Sequence, residues 1–273
     1  NGDHYTGAEV TSEGFQIYGL DPYKYYSAGY ACYYSDIRSQ QDSWDIWDNS
    51  MPVEVSDGDI VGFKYFGFEG LAEAKDGLKP FEGAVKGNKT MLNVFLAPKT
   101  EASFKVNVWI DGPWDNETWN GKKIGEITVP AGSADKVTGY AIDVAEAVEG
   151  LAGKHAIYLV AEGEGDLCTL MGLGFTKDGK KMKFPAAPVV SISVNGQALE
   201  MPSVPVRSTN ENGLVTYDQY EVKCPMPAEG ASVKASADNK AVKVNVGKPA
   251  DGKAVVTFDY NGTIKTYTVV FEK

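Results

Sequence analysis

The chain has 273 residues, 43% of them hydrophobic and 23% charged, ordinary globular values that at roughly 150 residues per domain point to about two domains. A net charge of -11 and an isoelectric point near 4.8 exclude a partner held through its phosphates, which needs clustered Lys and Arg, so neither nucleic acid nor an anionic membrane is expected. Three cysteines without Cys-x-x-Cys spacing and two histidines argue against a zinc site or a disulfide framework, and no apolar run approaches the roughly 20 residues of a membrane span.

The chain opens on Asn1 rather than Met, which reads as a mature or excised form. From Tyr23 to Asn49, "YKYYSAGYACYYSDIRSQQDSWDIWDN" mixes many tyrosines, Trp44 and Trp47 with Asp, Ser and Gln. That mixture suits a polar ligand that is both stacked and hydrogen-bonded. A long irregular stretch also uses aromatics to anchor itself, and the two readings stand side by side.

"DIVGFKYFGF" and "MLNVFLA" are short apolar runs of strand type, and "FKVNVWI" (Phe104 to Ile110) alternates strictly. Phe104, Val106, Val108 and Ile110 fall on one face and Lys105, Asn107 and Trp109 on the other, the period of a half-buried strand. Trp109 is then either a platform on an open sheet or a ring packed under a covering loop or the second domain.

"DGPWDNETWNG" (Asp111 to Gly121) follows, with Trp114 and Trp119 among residues that favour turns and water. An indole face can stack on the C-H face of a sugar ring while Asp111 and Asn116 bond its hydroxyls. Alternatively, either ring folds back as a lid over the end of the sandwich. Asn116-Glu117-Thr118 also fits a glycosylation sequon, as do Asn88-Lys89-Thr90 and Asn261-Gly262-Thr263.

"IGEITV" and "HAIYLVAEG" continue the strand pattern, and only "DVAEAVEGL" has a helical look, which Gly150 and Gly153 would end. Residues 1–185 therefore read as a β-sandwich or barrel. Prolines in "KMKFPAAPVV" mark a linker, and the charge changes there: 28 Asp and Glu against 17 Lys and Arg through Pro185, then nine of each. Residues 186–273 carry "VVSISVNG", "YDQYEVKC", "AVKVNVG", "AVVTFDYNG" and "TIKTYTVVF" between turn signals, the rhythm of an immunoglobulin-like sandwich without a Cys-Trp-Cys core.

No nucleophile elbow, His-Glu-x-x-His or phosphate-binding loop is present in the sequence, which disfavours hydrolysis through a Ser, Cys or metal centre. A glycosidase-type carboxylate pair, Asp45 or Asp48 with Asp111, is retained as an alternative.

"IGEITVPAGSADKVTGYAIDVAEAVEGLAGKHAIYLVAEGEGDLCTLMGLGF" (Ile124 to Phe175) resembles the second half of family 6 carbohydrate-binding modules, and "WIDGPWDNETWNGKKIGEI" is similar to that family's Leu-Asp-Gly-Pro hairpin, lengthened. The resemblance runs over Asp57 to Phe175 and implies a β-jelly roll attached to a secreted polysaccharide hydrolase, such as a family 43 glycoside hydrolase. It also implies a structural calcium with an early Glu as ligand, which Glu9 would match, although the gap from Glu9 to "DGDIVGFKY" is longer than the family's. Two family positions depart: "GSADKVTGY" lacks the Trp expected after the Val-Pro hairpin, and the last strand begins near Cys168 or Thr169 instead of Asn.

The expectation is thus an all-β chain, a jelly-roll sandwich over 1–185 followed by a smaller immunoglobulin-like one over 186–273. Its function would be that of a non-catalytic, extracytoplasmic module binding a polysaccharide or oligosaccharide, with a catalytic domain in the same parent chain. Trp114, Trp119, Asp111 and Asn116, with Trp44 and Trp47, are its candidate contacts. No cofactor is required beyond the calcium. A purely structural spacer is the alternative from a different class.

Overall fold

The computed structural model describes residues 19–36, 45–48, 51–68, 89–133, 136–151, 153–227 and 230–272. Glu9 and Trp44 lie outside them. The described residues form two compact units, one holding 19–36 and 51–185, the other 45–48 and 186–272.

In the first unit the strands are β1 (Tyr26–Ser27), β2 (Tyr33–Tyr34), β3 (Val53–Ser56), β4 (Ile60–Gly67), β5 (Met91–Pro98), β6 (Phe104–Ile110), β7 (Lys122–Val129), β8 (Thr138–Asp143), β9 (Lys154–Glu162) and β10 (Asp166–Thr176). One helical turn, α1 (Ala145–Val148), follows β8. Gly150 and Gly153 stop it, with φ of 75° and 89° that an L side chain resists.

From β3 to β10 the strands pair antiparallel from the outside in: β3 with β10, β4 with β9, β5 with β8, β6 with β7. Cross-pairing of β5 with β10 and of β6 with β9 joins these pairs into two sheets, β3-β10-β5-β8 and β4-β9-β6-β7. That is a jelly roll, a long ladder bent at the β6–β7 hairpin and rolled so that successive pairs alternate between layers. β1 extends the first sheet along β10, and β2 extends the second along β4.

The core between the layers follows the alternation of β6: Phe104, Val106, Val108 and Ile110 are all buried. They meet a phenylalanine cluster in which Phe66 touches Phe63, Phe68 and Phe175 edge-on or tilted. Lys105, Asn107 and Trp109 lie on the other face, as the period requires.

The second unit is a smaller immunoglobulin-like sandwich. Its strands are β11 (Val190–Val194), β12 (Gln197–Ala198), β13 (Val206–Thr209), β14 (Val215–Pro225), β15 (Val233–Ala237), β16 (Lys243–Val246), β17 (Lys253–Tyr260) and β18 (Thr263–Glu272). A sheet β12-β11-β15 is accompanied by a sheet β13-β14-β18-β17-β16, in which β14 and β18 run parallel and the other pairs antiparallel. Tyr220 and Tyr267 sit side by side on that parallel pair, stacked 4.6 Å apart. The buried tryptophan of this core is Trp47, which arrives from far upstream. Its indole N–H donates to the Thr263 carbonyl at 3.1 Å.

Candidate functional site

The β6–β7 connection is built around two glycines. A side chain at Gly121 would place its Cβ 2.0 Å from the Gly112 carbonyl oxygen, so the two stems of the loop cross at a distance only glycine allows. Asp111 enters the loop with φ of 66°, donating its N–H to the Ala156 carbonyl at 2.9 Å. Beyond the crossing, the Gly121 N–H donates to the Trp114 carbonyl and the Asn120 N–H to the Asn116 carbonyl, both at 2.8 Å. The tip is therefore hydrogen-bonded to itself, unlike an open excursion into solvent.

Within this tip the candidate residues have different tasks. Asn116 accepts the N–H groups of Thr118 and Trp119 on its side-chain oxygen, each at 3.0 Å, a local turn for which Asn is well suited. Its side-chain NH2 has no partner among the described residues. Asp111 points both carboxylate oxygens at His155 Nδ1, at 3.0 and 2.9 Å, and His155 in turn meets Phe68 edge-on. Asp111 is thus a stay between the hairpin and β9, with its side chain still about half exposed at 47%.

The tryptophans separate. Trp119 turns back and meets Tyr33 and Tyr158 edge-on, with centroids 5.7 and 5.9 Å away. Together with Tyr65 and Trp109 it covers a small second core on the outer face of β4 and β9, made of Ile60, Ala156, Tyr158 and Val160. Trp109 and Trp119, two of the rings that sequence left between platform and packing, are packed here. Trp114 remains 41% exposed, the one large aromatic of this hairpin that faces solvent.

The outer sheet face beside this cluster is polar and paired. Glu126 accepts from Lys123 at 2.8 Å and from Lys105 at 2.9 Å. These contacts, Lys123 first, hold its carboxyl below the usual glutamate range. Asn107 donates to Glu162 at 3.0 Å.

Trp47 is no surface aromatic. It is 6% exposed, held in the second unit's core by the Thr263 bond, by Tyr260 edge-on at 5.7 Å and by the Lys265 ammonium 4.0 Å above its ring. Its faces are spent on packing, which removes it as a sugar platform. The carboxylates of the alternative acid pair are engaged separately, Asp45 with Lys265 and Asp111 with His155.

Glu9 and Trp44 lie outside the described residues, and among those described no three His, Cys, Asp or Glu side chains converge as they would around a metal ion. Among the described residues no helix is long and apolar enough to cross a membrane.

No protein-family model matches the sequence, and no curated protein matches it significantly. Among solved structures, the chain is similar to a family 35 carbohydrate-binding module from an environmental isolate. That similarity covers 57% of this chain and 93% of the module, at 14% identity and a TM-score of 0.34. A cycloisomaltooligosaccharide glucanotransferase of Paenibacillus sp., complexed with cycloisomaltoheptaose, matches over 57% of this chain and 19% of its own, at 14% identity and a TM-score of 0.34. A cleaved adhesin domain of Lys-gingipain from Porphyromonas gingivalis matches over 47% and 76%, at 10% identity and a TM-score of 0.30. Of these three low-level similarities, one is to a carbohydrate-binding module, one to a sugar-active enzyme and one to an adhesin domain.

Proposed function

We propose that the first unit is a non-catalytic carbohydrate-binding module whose primary contact is the exposed face of Trp114. The observation that carries the reading is the division of labour in the hairpin. Trp119, Asn116 and the glycine crossing fix the loop, and what they hold out to solvent is an indole. A rigid aromatic presented this way loses little conformational freedom on stacking against a sugar ring. The free NH2 of Asn116 and the exposed Asp115 and Glu117 beside it supply hydroxyl partners.

In this reading the module is of the family 6 type, with its binding work moved from the usual loop end to the lengthened hairpin. It serves a polysaccharide-degrading protein outside the cytoplasm, with a catalytic domain such as a family 43 hydrolase in the same parent chain. The calcium belongs to the same proposal, with Glu9 as its only assigned ligand.

Affinity electrophoresis in gels containing plant and host polysaccharides tests the reading. Retardation of the wild type by at least one glycan, lost in Trp114→Ala with an unchanged melting temperature, is expected. Undiminished retardation of Trp114→Ala would sink the assignment, and no retardation by any glycan would favour a purely structural spacer.

A further inference from the structure

The exit stem of the hairpin opens onto a groove. Lys122, Lys123 and Ile124 at the start of β7 form one wall, and Asp143 to Ala147, where β8 turns into α1, form the other. Its volume is about 540 Å³, within the range of small-ligand sites. Lys122 follows Gly121, whose N–H donates to the Trp114 carbonyl, so this wall of the groove begins where the exit stem of the hairpin ends.

Its lining has a definite chemistry. Ile124 and Val144, 9% and 2% exposed, give an apolar floor. Two ammonium groups and two carboxylates stand around it, those of Lys122, Lys123, Asp143 and Glu146. Lys123 is bound to Glu126, and one Asp143 oxygen accepts the Ala145 N–H at 2.9 Å. Lys122 and Glu146 have no polar partner among the described residues. With Lys123 already paired, a ligand carrying a carboxylate would meet the negative Glu146 and Asp143 against the single unpaired ammonium of Lys122. One that offers donors and acceptors in equal measure, with an apolar ring face, satisfies all of them.

We propose that this groove is a second subsite, taking a neutral, hydroxyl-rich sugar residue. The proposal rests on the carbohydrate-binding reading and adds to it the position of the second ring and the preference for neutral over uronic glycans. Lys122 donates to a hydroxyl, and Glu146 with the free Asp143 oxygen accepts from others.

Isothermal titration calorimetry of the whole chain decides it, with four probes: the β-1,4-linked hexasaccharides of glucose, xylose and mannose, and the hexamer of galacturonic acid. At least one neutral hexamer is expected to bind the wild type more tightly than the galacturonate hexamer. Lys122→Ala and Glu146→Gln, both exposed positions, should each weaken it about three- to tenfold, the loss of a hydrogen bond. Ala145→Trp, which fills the groove, should weaken it more than about tenfold. If all three variants bind like the wild type while Trp114→Ala fails, the groove assignment is overturned and the tryptophan reading stands. Preference for the galacturonate hexamer overturns the neutral-ligand assignment. Binding of no hexamer by the wild type, whatever the gels show, overturns the groove assignment.

Discussion

The ammonium of Lys265 lies 4.0 Å from the centre of the Trp47 ring and is ion-paired with Asp45. The Lys265 side chain is 3% exposed, and burial pulls its amine below the ordinary lysine range despite the Asp45 carboxylate. A buried charge tolerates loss of its partner poorly, at about 3–5 kcal/mol. Asp45→Ala is therefore expected to destabilise the second unit by several kcal/mol, and Trp47→Ala by roughly 3–5 kcal/mol through the cavity it leaves. A double-mutant cycle by urea unfolding checks this, and strict additivity of Asp45→Ala and Trp47→Ala would show that the two do not act through one cluster. For the same reason, residues 186–273 alone should melt well below the same unit in the whole chain.

The two hairpin tryptophans should separate function from stability. Trp119→Ala removes a half-buried ring from between Tyr33 and Tyr158 and is expected to cost about 2 kcal/mol, less than a fully buried Trp. Trp114→Ala should change stability by less than about 0.5 kcal/mol, as at other surface positions. Thermal unfolding of both variants is the measurement, and a larger loss from Trp114→Ala than from Trp119→Ala would reverse the roles.

The stacked tyrosines set an expectation for alkaline stability. Burial pushes the Tyr220 phenol up to about 12 and raises Tyr267 as well. A phenol whose folded pKa exceeds its unfolded value contributes stability that is whole below the unfolded value near 10 and is lost as pH rises through the folded one. Absorbance at 295 nm should therefore show at least two tyrosines ionising late, together with a loss of stability that begins above about pH 10. Tyr220→Phe should flatten that loss, and an unchanged alkaline limb in this variant would contradict the assignment.

The thiols give a count. Cys32 is exposed, while Cys168 and Cys224 are buried. Burial pushes the Cys168 thiol up to about 12 and raises Cys224, so neither offers thiolate at neutral pH. A chromogenic disulfide reagent should titrate one thiol in the native protein and three in denaturant. Fast reaction of a second thiol in the native state would mean that one of the two cores opens.

Glu126 sets an acid-side expectation. Since Lys123 and Lys105 hold its carboxyl low, its contribution is present above the usual carboxylate range and is lost as pH falls through the lowered folded value. Carbon-detected NMR should find Glu126 titrating below a free glutamate. A midpoint at the ordinary value would show that the bridge does not persist in solution.

Much of the fold was legible where a strand alternates against one core, as in β6 and β17. β8 was harder because its exposure pattern does not alternate. β10 was harder because Gly172 and Gly174 interrupt it, Gly172 clearing the close approach of the Tyr26 carbonyl. Within the hairpin, Trp114 and Trp119 sit in chemically similar surroundings, so local sequence offers no way to rank their exposure. Tyr33 and Tyr158 make the choice, and both are brought there by long-range pairing. Trp47 is the extreme case, since the carbonyl that claims it lies 216 residues downstream.

The inside-out pairing of the jelly roll has a kinetic and evolutionary side. β6 and β7 meet across a short loop, whereas β10 reaches β3 only by closing a span of about 110 residues, as in the Ser56–Asp166 bond. Loop-closure entropy makes the hairpin the natural first contact and the β3–β10 edge a late one. Pulse-labelled hydrogen exchange should show β6–β7 amides protected no later than those of β3 and β10. Because that hairpin is the free bend of the ladder, residues can be added or removed at its tip without shifting the register of any other pair. The tip can thus change length and sequence while the rest of the sandwich stays as it is.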